Sequence, residues 1–437
     1  MAVAFGAPAG ADESRIEDPA ERAEVTVFEN GLTVVTLVDR STPVVSFQNW
    51  VKVGSRDESR YTGLAHLFEH MMFRGSKNLG PEEHARLINA RGGRLNAFTS
   101  NDFTVYFEDV TAESLPLVID LEYERVAHLR IDQEILDTER EVVLEERRLR
   151  SEDSPRGRAV EALFATAWIA HPYRTPVIGW RSDVERATVE VCRAFFDRYY
   201  VPNNMVIAIV GDFDRDEALA HLQRTFGRLE RGADIQRRPT VEPEQRGERR
   251  VTVHFDVRSP LLTAGWHAPR TGQPDAEALD VAGQILSAGR SSRLYRSLVY
   301  DAEVALFAQG GYWELVDAGI FYAFAGVRPG ESVDEVERLF MAEVARMRDE
   351  GVTQAEVDRA VRQLEVAMVS GLDTAHALAS RVGRDVATFG RIRPLSKRLE
   401  TYREVTPEDV QRVMQTYLVD DQRSVVQVVP PPAEEAR

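Results

Sequence analysis

The sequence predicts an α+β protein built from two homologous αβ-roll domains, each a mixed or antiparallel sheet with helices packed on one face, joined by a linker. Length is the first indication: 437 residues, 43% hydrophobic and 29% charged, exceed what one ordinary core holds and have the composition of a globular chain. The second is that strand-like and helix-like stretches follow one another along both halves. The third is an internal repeat, because residues 188–210 run against 406–428 at a constant offset of 218 and residues 43–50 are answered by 260–266 at nearly the same offset. A repeat of that length is a duplicated unit.

The expected boundaries are a flexible N-terminal tail over 1–22, a first domain over 23–230, a linker over 231–249, a second domain over 250–430 and a C-terminal tail over 431–437. The linker is the polar stretch that carries Pro and Arg and has no apolar periodicity. Within the first domain, residues 25–37 read as two strands joined at Asn30-Gly31, and 44–53 as a third strand carrying Trp50. A helix follows around His66, then a short one over 80–89. The stretch 92–100, which opens on Gly92-Gly93, breaks the pattern before an alternating strand over 103–110, whose edge could accept an extended peptide. Helices are expected over 114–129, over 133 to about 150 after Asp132 as N-cap, and over 188–200. A buried strand, Met205–Gly211, closes the unit.

Charge and cysteine content exclude several classes. A net charge of −17 opposes nucleic-acid binding, which needs clustered Lys and Arg. No apolar run approaches the ~18 residues of a membrane span. The single cysteine, Cys192, excludes an intramolecular disulfide and a cysteine-rich zinc site, and its apolar neighbours mark it as a core residue. The first eleven residues lack the basic start and the apolar length of a complete signal peptide. The sequence leaves the compartment open; a soluble protein of a bacterial periplasm or cytoplasm is the expectation.

The chemistry concentrates in residues 63–75. His66 and His70 stand four apart, so a helix puts both imidazoles on one face, with Glu69 projecting close to that face. Leu64, Phe68 and Met71 supply the apolar stripe, Thr62 an N-cap and Gly75 a left-handed C-cap. Histidines on a helix are usually packed or solvated, so the pair gains meaning only with a third ligand. Zinc hydrolysis wants three protein ligands, one open position for water, and a base. His66 and His70 supply two ligands, and Glu69 is the natural base. The third should be an acidic residue on another helix. In the helix over 133 to about 150, Glu139 and Glu146 lie seven apart and share a face, while Glu141 and Glu145 belong to the solvated charge. Under the repeat, the His66 helix maps to residues 282–289, which hold no His or Glu. The copy keeps the fold and loses the metal chemistry, leaving it to wall a cavity.

These motifs resemble the inverted-motif zinc peptidases of the pitrilysin/insulinase family. The resemblance covers residues 25 to about 429. It rests on His66-Leu67-Phe68-Glu69-His70, Gly92-Gly93 with Asn96-Ala97-Phe98-Thr99, Asp102 and Tyr106, the 139–146 helix, His171-Pro172-Tyr173, and Tyr200-Val201-Pro202-Asn203-Asn204-Met205 with Gly211-Asp212-Phe213. It implies one Zn2+ per chain held by His66, His70 and Glu146, with Glu139 supporting the site from behind. It also implies a substrate backbone laid along Asn96, Ala97 and Phe98, and a structural His171. One departure stands out. Where self-sufficient members carry an arginine and, seven residues on, a tyrosine, this chain has Val299 and Leu306, neither of which donates a hydrogen bond; Tyr295, Tyr300 and Tyr312 are the local substitutes. The resemblance is therefore to the zinc-bearing subunit of two-chain members such as mitochondrial processing peptidase, and implies a zinc-less homologous subunit that brings the Arg/Tyr pair, or a homodimer. The expected function is a zinc-dependent endopeptidase that cleaves short or unfolded peptides in an enclosed chamber, with Glu69 as general base on a zinc-held water. The alternative is a non-catalytic peptide-binding or scaffold subunit of such a heterodimer.

Overall fold

The computed structural model describes residues 18–237 and 239–432. Apolar strands of the first half, β1 (Glu24–Val27), β2 (Thr33–Val38), β3 (Val44–Val51), β4 (Arg94–Thr99), β5 (Thr104–Thr111) and β6 (Met205–Gly211), form one sheet in the order β1-β2-β6-β3-β5-β4. Those of the second half, β7 (Arg249–His254), β8 (Leu261–Ala268), β9 (Ala305–Trp313), β10 (Gly319–Val327) and β11 (Arg423–Val429), form another in the order β7-β11-β8-β10-β9. Both are mixed: β2 runs parallel to β6 and β7 parallel to β11, the remaining pairs being antiparallel. Without β1, the two orders are the same topology, and β11 begins 218 residues after β6, as the repeat predicts.

Helices of the first half are α1 (Leu64–Met71), α2 (Glu83–Asn89), α3 (Leu115–His128), α4 (Gln133–Arg147), α5 (Pro155–Ala167), α6 (Arg181–Arg186), α7 (Val189–Tyr199) and α8 (Arg215–Arg224). Those of the second are α9 (Ala276–Ser287), α10 (Val333–Glu350), α11 (Gln354–Ser370), α12 (Ala375–Phe389), α13 (Leu395–Arg403) and α14 (Pro407–Tyr417). Helix α4 does not run on to about 150 as an α-helix; a π turn, Arg148–Glu152, succeeds it.

Each sheet is covered on both faces, one more than the sequence led us to expect. Val34, Phe47, Ile207 and Ile209 pack with Phe68 and Met71 on one face of the first sheet. On the other, Val35, Leu37, Trp50, Val206, Ala208 and Val210 are buried against Leu378, Ala379 and Val382 of α12, a helix of the second half. The exchange is reciprocal, since Ala159, Leu163 and Phe164 of α5 pack with Ile320, Phe324, Val426 and Val428 of the second sheet. The continuous apolar run of β6 is the cause: a strand with no polar face needs cover on both sides. Gly383 permits the approach, because a Cβ there would collide with the Trp50 indole.

Two further expectations change. Residues 18–22, assigned to the tail, form a short 3₁₀ turn in which Asp18 pairs with Arg381 at 2.6 and 2.8 Å and accepts from the Leu395 N–H; residues 1–17 and 433–437 lie outside the described part. The free edge of the first sheet is β4, not the strand over 103–110: β5 is enclosed between β3 and β4 because a tight turn at Ser100–Phe103 folds β4 back onto it. The described residues of the stretch joining the halves, 231–237 and 239–248, are irregular and are tied down by Arg237 on Asp57 and by Glu242, which accepts from the backbone of Ile169, Ala170 and His171.

Candidate metal centre

Helix α1 starts at Gly63, whose φ of 86° is the left-handed conformation that glycine tolerates. Its cap is not Thr62. The Glu58 carboxylate receives the N–H groups of Gly63 and Ala65 at 2.7 and 2.8 Å, a favourable place for negative charge at a helix start. The Thr62 hydroxyl instead donates to Asp183 and accepts from the Trp180 N–H. The apolar side of α1, with Phe68 stacked on Phe195, is sealed in the core. Its other side presents His66 and His70, ring centroids 4.8 Å apart.

Helix α4 brings Glu146 to this pair. Its Oε2 stands 3.7 Å from His66 Nε2 and 3.2 Å from His70 Nε2. Metal–ligand bonds of about 2.0–2.1 Å in a tetrahedral zinc site place ligand atoms roughly 3.3–3.4 Å apart, so both Glu146–histidine distances are close to those of a zinc site, and all three ligand atoms lie within 4.8 Å of one another. Behind them, Glu139 Oε2 lies 3.5 Å from His70 Nδ1, and its other oxygen pairs with Arg74. A carboxylate behind a ligating histidine fixes its tautomer. Burial and the neighbouring His70 push the His66 imidazole down to about 4. Burial would lower His70 too, but Glu139 and Glu146 outweigh it and hold it up at about 9. Burial raises the Glu69 carboxyl above its usual range, against the opposing pull of the Thr99 hydroxyl and His70.

The triad lies on a cleft of about 740 Å³ bordered by Glu69, by Asn96, Ala97, Phe98 and Thr99 of β4, and by Phe164 of α5. Asn96, Ala97 and Phe98 are thus brought to the cleft with Glu69, His66, His70 and Glu146. On this edge Phe98 is 38% exposed, and the Asn96 side-chain Oδ1 accepts from the Ala97 N–H at 2.9 Å. Trp313 is the second half's contribution to the lining among the described residues. Val299 packs on the second core and Leu306 is half exposed on β9; neither lines the cleft, nor do Tyr295, Tyr300 or Tyr312. His171 is buried and accepts from the Tyr173 N–H, away from the triad.

Sequence reasoning missed Arg74, Glu58 and Arg150. Arg150 lines the cleft with its Nη1 2.5 Å from Glu146 Oε1. A second metal-like group, His84, Glu108 and Glu122, is fully buried beneath β5. The Arg125 guanidinium already serves as its cation, 3.2 Å from Glu108 and paired with Glu122, and lies over the Tyr106 ring.

A mixed two-sheet duplication with an H-x-x-E-H helix facing a glutamate helix defines a class, that of the zinc-protease-like proteins of inverted motif. Residues 33–180 match the family described as Insulinase (Peptidase family M16), and residues 186–364 match the Peptidase M16 inactive domain. The chain is 30% identical over 413 residues to the zinc protease PqqE of Helicobacter pylori, covering 93% of each. It is 31% identical over 395 residues to a Mycobacterium tuberculosis protein named uncharacterized zinc protease Rv2782c, covering 89% of each. A crystal structure of a protease from Helicobacter pylori superimposes with a TM-score of 0.89 at 29% identity, over 93% of this chain and 99% of that one. The chain belongs to the M16 peptidase family. No helix among the described residues is long and apolar enough to cross a membrane.

Proposed function

We propose that the chain is a zinc-dependent endopeptidase acting on short or unfolded peptides enclosed between its two halves. The observation that carries this is the convergence of one carboxylate oxygen on two imidazole nitrogens, 3.2 and 3.7 Å from it, beside Glu69 and an unpaired strand edge in one cleft. His66, His70 and Glu146 would hold the Zn2+, with Glu139 orienting His70. The metal, when bound, supplies Lewis acidity toward the scissile carbonyl and makes water a better acid.

The chain's own residues do the rest. Peptide backbone adds to the free edge of β4 along Asn96, Ala97 and Phe98, in the manner of an extra strand. Glu69 takes a proton from the attacking water and delivers it to the leaving amine; its burial, which raises its proton affinity, suits both transfers. Substituting Glu69→Gln is expected to leave zinc content intact and to abolish peptide cleavage, as checked by elemental analysis and a quenched-fluorescence peptide assay. Turnover retained in that variant would remove Glu69 from this role.

Val299 and Leu306 supply no donor to the cleft, and a homologous zinc-less chain is one source of the missing groups. On that reading, cleavage by the isolated chain rises when such a chain is added.

A further inference from the structure

We propose that Arg150 donates, from within this chain, the hydrogen bond that stabilises the oxyanion of the scissile carbonyl. The inference rests on the peptidase reading above. When water adds to an amide, the new C–O bond forces the carbonyl π electrons onto oxygen, and an N–H already aimed at that oxygen is among the largest single contributions to such reactions. When the C–N bond breaks, the electrons return to the carbonyl, and Glu69 passes its proton to the amine.

Arg150 and Arg156 are the lining residues with a permanent positive charge, and of the two it is Arg150 that is tied to the triad. Glu146 divides its oxygens. Oε2 is the atom 3.2 and 3.7 Å from the two histidine nitrogens, and Oε1 lies 2.5 Å from Arg150 Nη1. The guanidinium therefore stands one carboxylate away from the point on which the histidines converge. Its side chain is 76% exposed and pairs with no other carboxylate among the described residues, so the rest of its donor fork is open to a bound peptide. The tyrosines of the second half are no rivals: Tyr312 gives its hydroxyl to the Pro269 carbonyl and Tyr300 is 72% exposed, and neither lines the cleft.

The backbone under Arg150 is fixed rather than loose. It sits in the π turn Arg148–Glu152, a form of helix irregularity that recurs at functional sites. Glu152 at the end of that turn takes both prongs of Arg181, at 3.0 and 2.7 Å, and a contact from Arg147 at 3.3 Å. Gly157, at the start of α5, runs so close to the Arg150 carbonyl that any Cβ there would collide with it.

The test uses the full chain with Arg150→Met and Arg150→Lys, and reads four quantities. They are zinc content, turnover of a peptide, affinity for that peptide in the Glu69→Gln background, and affinity for a phosphinic peptide that mimics the tetrahedral oxyanion. Arg150→Met is expected to lower turnover and phosphinic-peptide affinity by about 100- to 1,000-fold, with zinc content and peptide affinity unchanged. Added guanidinium ion, or the lysine variant, should restore part of both losses. Loss of zinc in Arg150→Met, equal weakening of the two ligands, or undiminished turnover would overturn the proposal and reduce Arg150 to a support for Glu146. A wild-type chain that takes up zinc yet cleaves no peptide, alone or with a homologous chain, overturns the peptidase reading instead.

Discussion

At the scale of single residues, two histidines one turn apart differ sharply because of what stands behind each. His70 faces Glu139 and is held up at about 9, whereas His66 is buried beside it and pushed down to about 4. With those values the metal-free pair carries one positive charge at neutral pH, on His70, while the His66 imidazole is neutral. Zinc must displace that proton, so uptake near pH 7.5 is expected to release about one proton per ion, and affinity to climb roughly tenfold per pH unit up to about 9. Calorimetry in buffers of different ionisation enthalpy checks the count. Replacing Glu139→Gln should weaken zinc by about 10- to 100-fold in a chelator competition, with the helical circular dichroism unaltered; an unchanged affinity would refute its support of His70. Glu146 was singled out from Glu139 by the family resemblance, whereas His66, His70 and Glu69 were legible because helical spacing is written directly in sequence. Arg74 and Arg150 were legible in principle by the same rule, each lying four residues beyond a ligand candidate. Glu58 was not, since a carboxylate that reaches forward across a loop to cap a helix leaves no periodic signature.

At the scale of elements, apolar alternation located β5 but not the edge beside it. Leu95 and Ala97 turn inward on β4, yet a six-residue strand that follows two glycines reads as loop until its partner is known. The end of α4 shows a similar limit, because residue pattern does not tell an α turn from a π turn. Caps are better behaved. Thr353 and Glu356 form a capping box at the start of α11, and Glu356 also takes both prongs of Arg293 at 2.8 and 3.0 Å. Burial alone would raise this carboxyl, but Arg293 and the Thr353 N–H overcome it and hold it down at about 2. A depressed carboxylate stabilises the fold above its unfolded value near 4.5, and that contribution disappears as pH falls from there to about 2. Glu356→Gln is therefore expected to cost about 2 kcal/mol at pH 7 and little near pH 2, as read from urea unfolding at the two pH values.

For the whole molecule, the repeat announced two like halves but not that they exchange helices. Helices α5 and α12 each show an apolar face, and a sequence does not say which sheet that face is addressed to. The energetic consequence is large. Val35, Leu37, Val206 and Val210 are fully buried under α12, and at about 1.5–3 kcal/mol each their exposure rivals the ~5–15 kcal/mol net stability of a typical domain. Residues 18–237 expressed alone are thus expected to aggregate or bind hydrophobic dyes, while the full chain unfolds in a single calorimetric transition. Gly383→Val, which forces a side chain into the Trp50 indole, should lower that transition by at least the ~1–3 kcal/mol of an overpacked core.

The exchanged helix also makes the molecule a mechanical linkage. By sequence α5 follows directly from the glutamate helix, but by packing it rides on the opposite sheet. Any parting of the halves would pull α5 away from α4, and the connection between them, residues 148–154 with the π turn that carries Arg150, is held by Arg181 on Glu152 and by Gly157 against the Arg150 carbonyl. If Arg150 acts as proposed, the guanidinium travels with that connection, and cleavage is confined to the closed jaw.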